Sequence, residues 1–337
     1  MRSTTEPQNG TPLPSPTRKQ IRGVVKGKIH SAVRILVFGI EGVGKSTLGS
    51  KAENPVFIGS ESGTEQLDVE RLPQPTHWTN APEDEFGDRN DVLSLTDRVR
   101  FGDHDWKTLV VDTLDWVEPL LWKYVCDSDP DGYKNPSGSI VLAYGGYGKG
   151  FDVAINHWRA WLAQLDAIRK ERNMNILLLA HSHIKTFRNP EGDDFDRYQL
   201  KMNDKASGII KEWSDAVLFA NQKISVTKKD TAAKNEKKRY GIGSMTHMLY
   251  TQRRPAWDAK NRFGLPEEMA LSWPDLMKYI RVRGPEDVHS LVEQIKEQVG
   301  FMSTSNQTEA MAAIERAGQD PEKLSILLNW VQANQPD

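Results

Sequence analysis

The chain reads Arg34-Ile35-Leu36-Val37-Phe38-Gly39-Ile40-Glu41-Gly42-Val43-Gly44-Lys45-Ser46-Thr47-Leu48 near its N-terminal end, and the other elements fall into place around this segment. A short apolar run leads into Gly39, Gly44, Lys45 and Ser46 at the spacing GxxxxGK followed by Ser or Thr, and a helix start comes next. Glycines let backbone N–H groups wrap around phosphates, the lysine reaches the β and γ oxygens, and the hydroxyl joins a Mg²⁺ ion. The helix behind the loop adds its positive end to the same anion. Gly39, Ile40, Glu41, Gly42, Val43, Gly44, Lys45, Ser46 and Thr47 are therefore the expected nucleotide-binding residues, with ATP and Mg²⁺ as expected ligands. A position between a buried strand and a helix separates this loop from a glycine-rich turn carrying an exposed lysine.

The 337 residues can hold one large core with small appendages, and the net charge of -2 points to no global field for nucleic acid or membrane. Local charge is more informative. Between Glu61 and Asp91 nine acids face two arginines, and between Lys223 and Arg239 seven basic residues face two acids. A single cysteine, Cys126, excludes an intramolecular disulfide and fits a reducing cytosol. No apolar run approaches the roughly 18 residues of a membrane span, and the N-terminus has no signal-peptide core, so a cytoplasmic protein without membrane partners is expected. Residues 1–30, rich in Pro, Ser, Thr and Gln and ending in Arg18, Lys19, Arg22, Lys26 and Lys28, read as a disordered basic arm.

Pro55 to Gly59 reads as a second buried strand, ending beside Glu61 where α/β sheets place their ligands; Glu61 is a candidate for orienting or deprotonating a water. Lys107 to Thr113 is a third strand whose Asp112 has the position of the carboxylate that supports the Mg²⁺ shell together with Ser46. Helices are expected over Asn90 to Val99, over Leu114 to Val125 with a kink at Pro119, and over Phe151 to Ile168, where Trp158 and Trp161 fall on the core face. Residues 127–150 read as a loop; Tyr144 to Gly150 lacks the spacing and the preceding strand of a second phosphate loop. Asn175 to Ala180 is the next buried strand, and His181 at its end can sense a γ-phosphate.

Lys185 to about Gly208 reads as a long loop mixing Lys185, Arg188, Arg197, Lys201 and Lys205 with Phe187 and Tyr198. Cations for phosphates and aromatics for bases are what non-specific single-strand binding uses, and interleaved acids keep a plain solvated loop as the alternative. Trp213 to Ala220 and Met245 to Gln252 read as strands joined by a lysine-rich turn, and Pro255 to Pro266 as a polar loop. Residues 284–337 read as a helical appendage, with Pro285 opening one helix, Gly318 closing a second and Asp320-Pro321 starting a third.

In order and spacing, GIEGVGKS, FIGSESG, LVVDT, LLLAHS and WDAKNRFGLP resemble the RecA-like ATPase core over roughly Ser31 to Pro266. More specifically, they resemble phage-encoded, core-only relatives described as nucleotide-binding or single-strand annealing proteins. The resemblance implies an α/β fold with a mostly parallel central sheet flanked by helices over residues 31–283. It gives Glu61 the role of catalytic glutamate, His181 that of γ-phosphate sensor, and Lys260 and Arg262 that of cations inserted into a neighbour's ATP site. Lys45 completes the expected catalytic set, and a homo-oligomer is implied. No N-terminal oligomerisation helix and strand of the bacterial recombinase kind is present.

The resulting expectation is a Mg²⁺-dependent, DNA-stimulated ATPase that binds single-stranded DNA and promotes annealing or recombination in phage DNA metabolism. A single-strand-binding protein or other replication protein is the expected partner of the C-terminal helices. A hexameric helicase or loader motor, a small-molecule kinase and an ATP-dependent scaffold are the alternatives.

Overall fold

The computed structural model describes residues 32–59, 62–228, 239–280, 292–293, 295–300, 304–318, 323–324, 327–328 and 330–331. The expected N-terminal arm, Glu61 and the turn at 229–238 lie outside the described residues.

A ten-stranded sheet organises the core. Its path runs β10 (Glu268–Ala270), β8 (Arg239–Tyr250), β7 (Ala216–Lys228), β1 (Arg34–Gly39), β5 (Asn175–Phe187), β4 (Thr108–Asp112), β2 (Pro55–Gly59) and β3 (Glu70–Leu72). From β7 to β3 every neighbouring pair is parallel, and β8 and β10 add an antiparallel edge. The parallel strands are continuous apolar runs because both of their faces are covered. Within β1, Leu36 and Phe38 enter one core and Ile35 and Val37 the other, as the two-residue period of a strand requires.

The first core packs under α2 (Val92–Phe101), α3 (Leu114–Asp127), α4 (Lys149–Glu171) and α5 (Asp204–Trp213). Trp158 and Trp161 are fully buried and meet Trp78 with ring centroids 5.7 and 5.8 Å away. The Trp161 indole N–H donates to Thr96 Oγ1 at 2.9 Å, whereas the buried Trp158 indole N–H meets no acceptor among the described residues. The second core packs under the short α1 (Lys45–Ser50) and α6 (Trp273–Ile280). α3 continues through Pro119 as one helix. A third cluster, including Ile295, Val299, Ala310, Leu324 and Val331, is drawn from the C-terminal region, where α7 spans Thr304–Ala317. Among the described residues no helix is long and apolar enough to cross a membrane.

Two expected loops have regular structure instead. β5 runs on past the buried core to Phe187 and turns into the antiparallel β6 (Phe195–Leu200), after which α5 begins at Asp204. The stretch expected as a loop from Lys185 is therefore a hairpin followed by a helix start. In the Pro255 to Pro266 segment, β9 (Lys260–Asn261) pairs with the beginning of β7.

Candidate functional site

The loop after β1 gathers at the C-terminal edge of the parallel sheet. Gly39 must be glycine: a Cβ there would lie 2.1 Å from the Ala220 carbonyl oxygen of β7, far inside contact distance. Gly44 has φ +98° at the start of α1, a left-handed conformation that disfavours any side chain. Val43 is buried in the second core and pins the loop from below. Glu41 and Thr47 face solvent, and Ile40 and Ser46 are half-buried.

Lys45 is buried, and its Nζ donates to the loop carbonyls of Gly39 at 3.3 Å and Ile40 at 3.0 Å. Behind the loop, Asp112 is 1% exposed and neither of its carboxylate oxygens closes a hydrogen bond among the described residues. Burial pushes its pKa up, while the nearby Ser46 hydroxyl and the charge of Lys45 act in the opposite direction. A carboxylate this buried and this sparsely bonded is costly to keep charged, and a cation offsets that cost. Among the described residues no group of three His, Cys, Asp or Glu side chains is placed to hold a metal alone. Ser46 and Asp112 fit a Mg²⁺ ion whose remaining ligands are phosphate and water oxygens.

On the neighbouring strand, His181 is locked in place. Asp115, in the first turn of α3, accepts from the His181 backbone N–H and contacts its Nδ1, both at 2.8 Å. Burial alone would raise the Asp115 pKa, and these His181 contacts hold it below the ordinary carboxylate value. One helical turn on, Glu118 accepts from the Asn203 backbone N–H at 3.0 and 3.2 Å, and burial pushes its pKa up to about 7. Asp115 and Glu118 were not among the expected site residues. The three-residue spacings from Asp112 through Asp115 to Glu118 were the available signal, placing the two later acids on one face of the helix that follows the metal-carboxylate strand.

The remaining expected residues divide. Lys260 is not presented outward: its Nζ donates to the carbonyls of Lys211, Glu212 and Ser214 at 3.1, 2.7 and 2.6 Å, capping the end of α5. Arg262 pairs with Asp215 at 3.3 Å. Both sit at the start of β7, where Asn261 faces Ala216, whereas Gly39 faces Ala220. Four strand residues place them about 13 Å along the sheet from the phosphate loop. The structure does not bring them to that loop.

Two of the expected nucleic-acid contacts are structural. Arg197 is 5% exposed, bonded to Asp258 at 2.6 Å and stacked over Phe187. Tyr198 packs on Phe219 at 4.9 Å. Asp258 also binds Lys211 at 2.7 Å, fastening β6 to α5 through one carboxylate. Arg188 is exposed, and Lys185 and Lys205 are exposed cations paired with Asp204 and Asp152. Phe187 is half-buried against Phe195. Lys201 is exposed too, but it reaches the phosphate loop, 3.5 Å from Glu41.

A family model described as an AAA domain matches residues 31–263. The comparison with curated proteins gives no match. Among solved structures, the crystal structure of the RadB recombinase is similar at 12% identity over 68% of this chain and 91% of that chain, with a TM-score of 0.33.

Proposed function

From the premise that the chain belongs to the AAA domain family, we infer a Mg²⁺-dependent ATPase of RecA-like organisation that works on single-stranded DNA. The observation that carries the reading is the buried Asp112 carboxylate, with Ser46 and Lys45 beside it, behind a glycine loop at the sheet edge. That arrangement fits a metal-bound polyphosphate seated over it. Bound Mg²⁺ would neutralise charge on the β and γ phosphates, with Ser46 and Asp112 as its protein-side supports. Lys45 would leave the carbonyls of Gly39 and Ile40 for phosphate oxygens, and the loop amides would bind the rest. His181, held by Asp115, would report the terminal phosphate to the hairpin that it begins. Glu61 is proposed to orient the attacking water.

The β5–β6 hairpin supports the single-strand reading through Lys185, Arg188 and Phe187 near its turn, and Lys205 lies on the adjoining α5. Annealing or recombination in phage DNA metabolism, assembly as a homo-oligomer and recruitment of a replication protein by residues 284–337 complete the proposal. Phosphate release from ATP, measured with Mg²⁺ and with chelator for wild type and Lys45→Ala, tests the core of it. Turnover should need Mg²⁺ and fall by at least about 100-fold in the variant. A Lys45→Ala protein that hydrolyses ATP normally would falsify the assignment.

A further inference from the structure

We propose that Lys201 is a catalytic cation of the nucleotide site, supplied from within the chain, whose ammonium exchanges Glu41 for the terminal phosphate of a nucleoside triphosphate. The proposal rests on the ATPase reading and adds to it a residue that the sequence placed among DNA contacts. Two independent contacts fix its position. The Lys201 backbone N–H donates to the His181 carbonyl at 2.9 Å, so the residue stands directly beside the candidate phosphate sensor. Its Nζ lies 3.5 Å from Glu41 Oε1, and Glu41 is part of the phosphate loop itself. The ammonium is thereby held over the loop rather than out along the hairpin.

Magnitudes favour exchange. The side chains are 54% and 72% exposed, and an ion pair in that setting holds its partners only weakly. A triphosphate brings several negative charges to the same loop. Those charges attract the Lys201 ammonium more strongly than the single carboxylate of Glu41 does. The other expected cations are engaged elsewhere: Lys260 caps α5, and Arg262 sits on Asp215 at the far end of β7.

In the step assigned to the site, the water oxygen bonds to the γ-phosphorus. The bond from that phosphorus to the β–γ bridging oxygen breaks, and its electron pair leaves with the nucleoside diphosphate. The water proton passes to solvent with the inorganic phosphate. Lys201 keeps its own proton and offsets the negative charge that grows on the transferred group, a task otherwise given to a cation from a neighbouring subunit.

The test uses the full chain as wild type, Lys201→Ala, Lys201→Gln, Lys201→Arg and Glu41→Gln, measuring ATP turnover, affinity for a non-hydrolysable ATP analogue, and single-stranded DNA affinity. Both neutral variants should lose about 100- to 1,000-fold in kcat with nucleotide affinity changed only a few-fold, and Lys201→Arg should recover most of the rate. Glu41→Gln, by releasing the ammonium, should tighten analogue binding a few-fold in the wild-type background and not in Lys201→Ala. Neutral variants with wild-type kcat overturn the proposal, whatever happens to DNA affinity; if DNA affinity alone falls, Lys201 is a DNA contact. Wild type that hydrolyses no ATP overturns the ATPase reading and this proposal together.

Discussion

At the scale of single residues, the site is built from groups held in unfavourable surroundings. Glu118 is the measurable case. Its pKa is raised from 4.5 to about 7 mainly by burial, so its neutral form is favoured by the fold. The stability it supports is fully present below pH 4.5 and is lost as pH rises toward about 7. The loss is roughly 3 kcal/mol for a shift of that size. Denaturant unfolding at several pH values should show this fall, and Glu118→Gln should remove that part of it; an identical pH dependence in the variant would contradict the assignment. Gly39 gives a second case. Gly39→Ala drives a methyl into the Ala220 carbonyl and should lower stability by roughly 1–3 kcal/mol or more, read from the same unfolding curves. Motif spacing made Gly39, Lys45, Ser46 and Asp112 legible from sequence. Asp115 and Glu118 were missed because an acid on a helix is ordinarily a solvated one, and only the pairing of Asp115 with His181 and of Glu118 with the Asn203 amide shows otherwise.

At the scale of elements, the buried parallel strands were readable because both faces are apolar, and β2 begins and ends where expected. The β5–β6 hairpin was not. His183-Ile184-Lys185-Thr186-Phe187 and Phe195-Asp196-Arg197-Tyr198-Gln199-Leu200 have mixed charge, which reads as loop. In fact the antiparallel ladder supplies the order, and Arg197 buries its charge against Asp258. The contacts of Lys260 were unreadable for a related reason: an AKNR run looks like an exposed finger, and only the structure puts three carbonyls at the end of α5 around its ammonium. Lys260→Ala should therefore destabilise the fold by roughly 1 kcal/mol, because those carbonyls lose a half-buried donor. Loss of turnover with an unchanged unfolding midpoint would restore the finger.

At the scale of the whole molecule, the sheet collects the phosphate loop, the buried carboxylate and the histidine at one edge. β1 presents the phosphate loop, β4 the buried carboxylate, and β5 the histidine that starts the hairpin. Asp115 and the Lys201 amide tie that histidine to α3 and to the end of the hairpin, so a change at the phosphate loop has a short mechanical route to the surface proposed for DNA. The fold class was thus legible in the sequence, as was the grouping of the glycine loop with Asp112, whereas the connections among the strands needed three dimensions. The most direct measurement is the steady-state ATPase rate of the full chain titrated with single-stranded DNA at low and high salt. The account predicts stimulation by the strand, with a midpoint that moves to higher DNA concentration as salt rises, because phosphate contacts release counterions. A rate that is substantial but indifferent to DNA at every salt concentration would contradict the coupling, leaving a phosphate loop that serves some other partner.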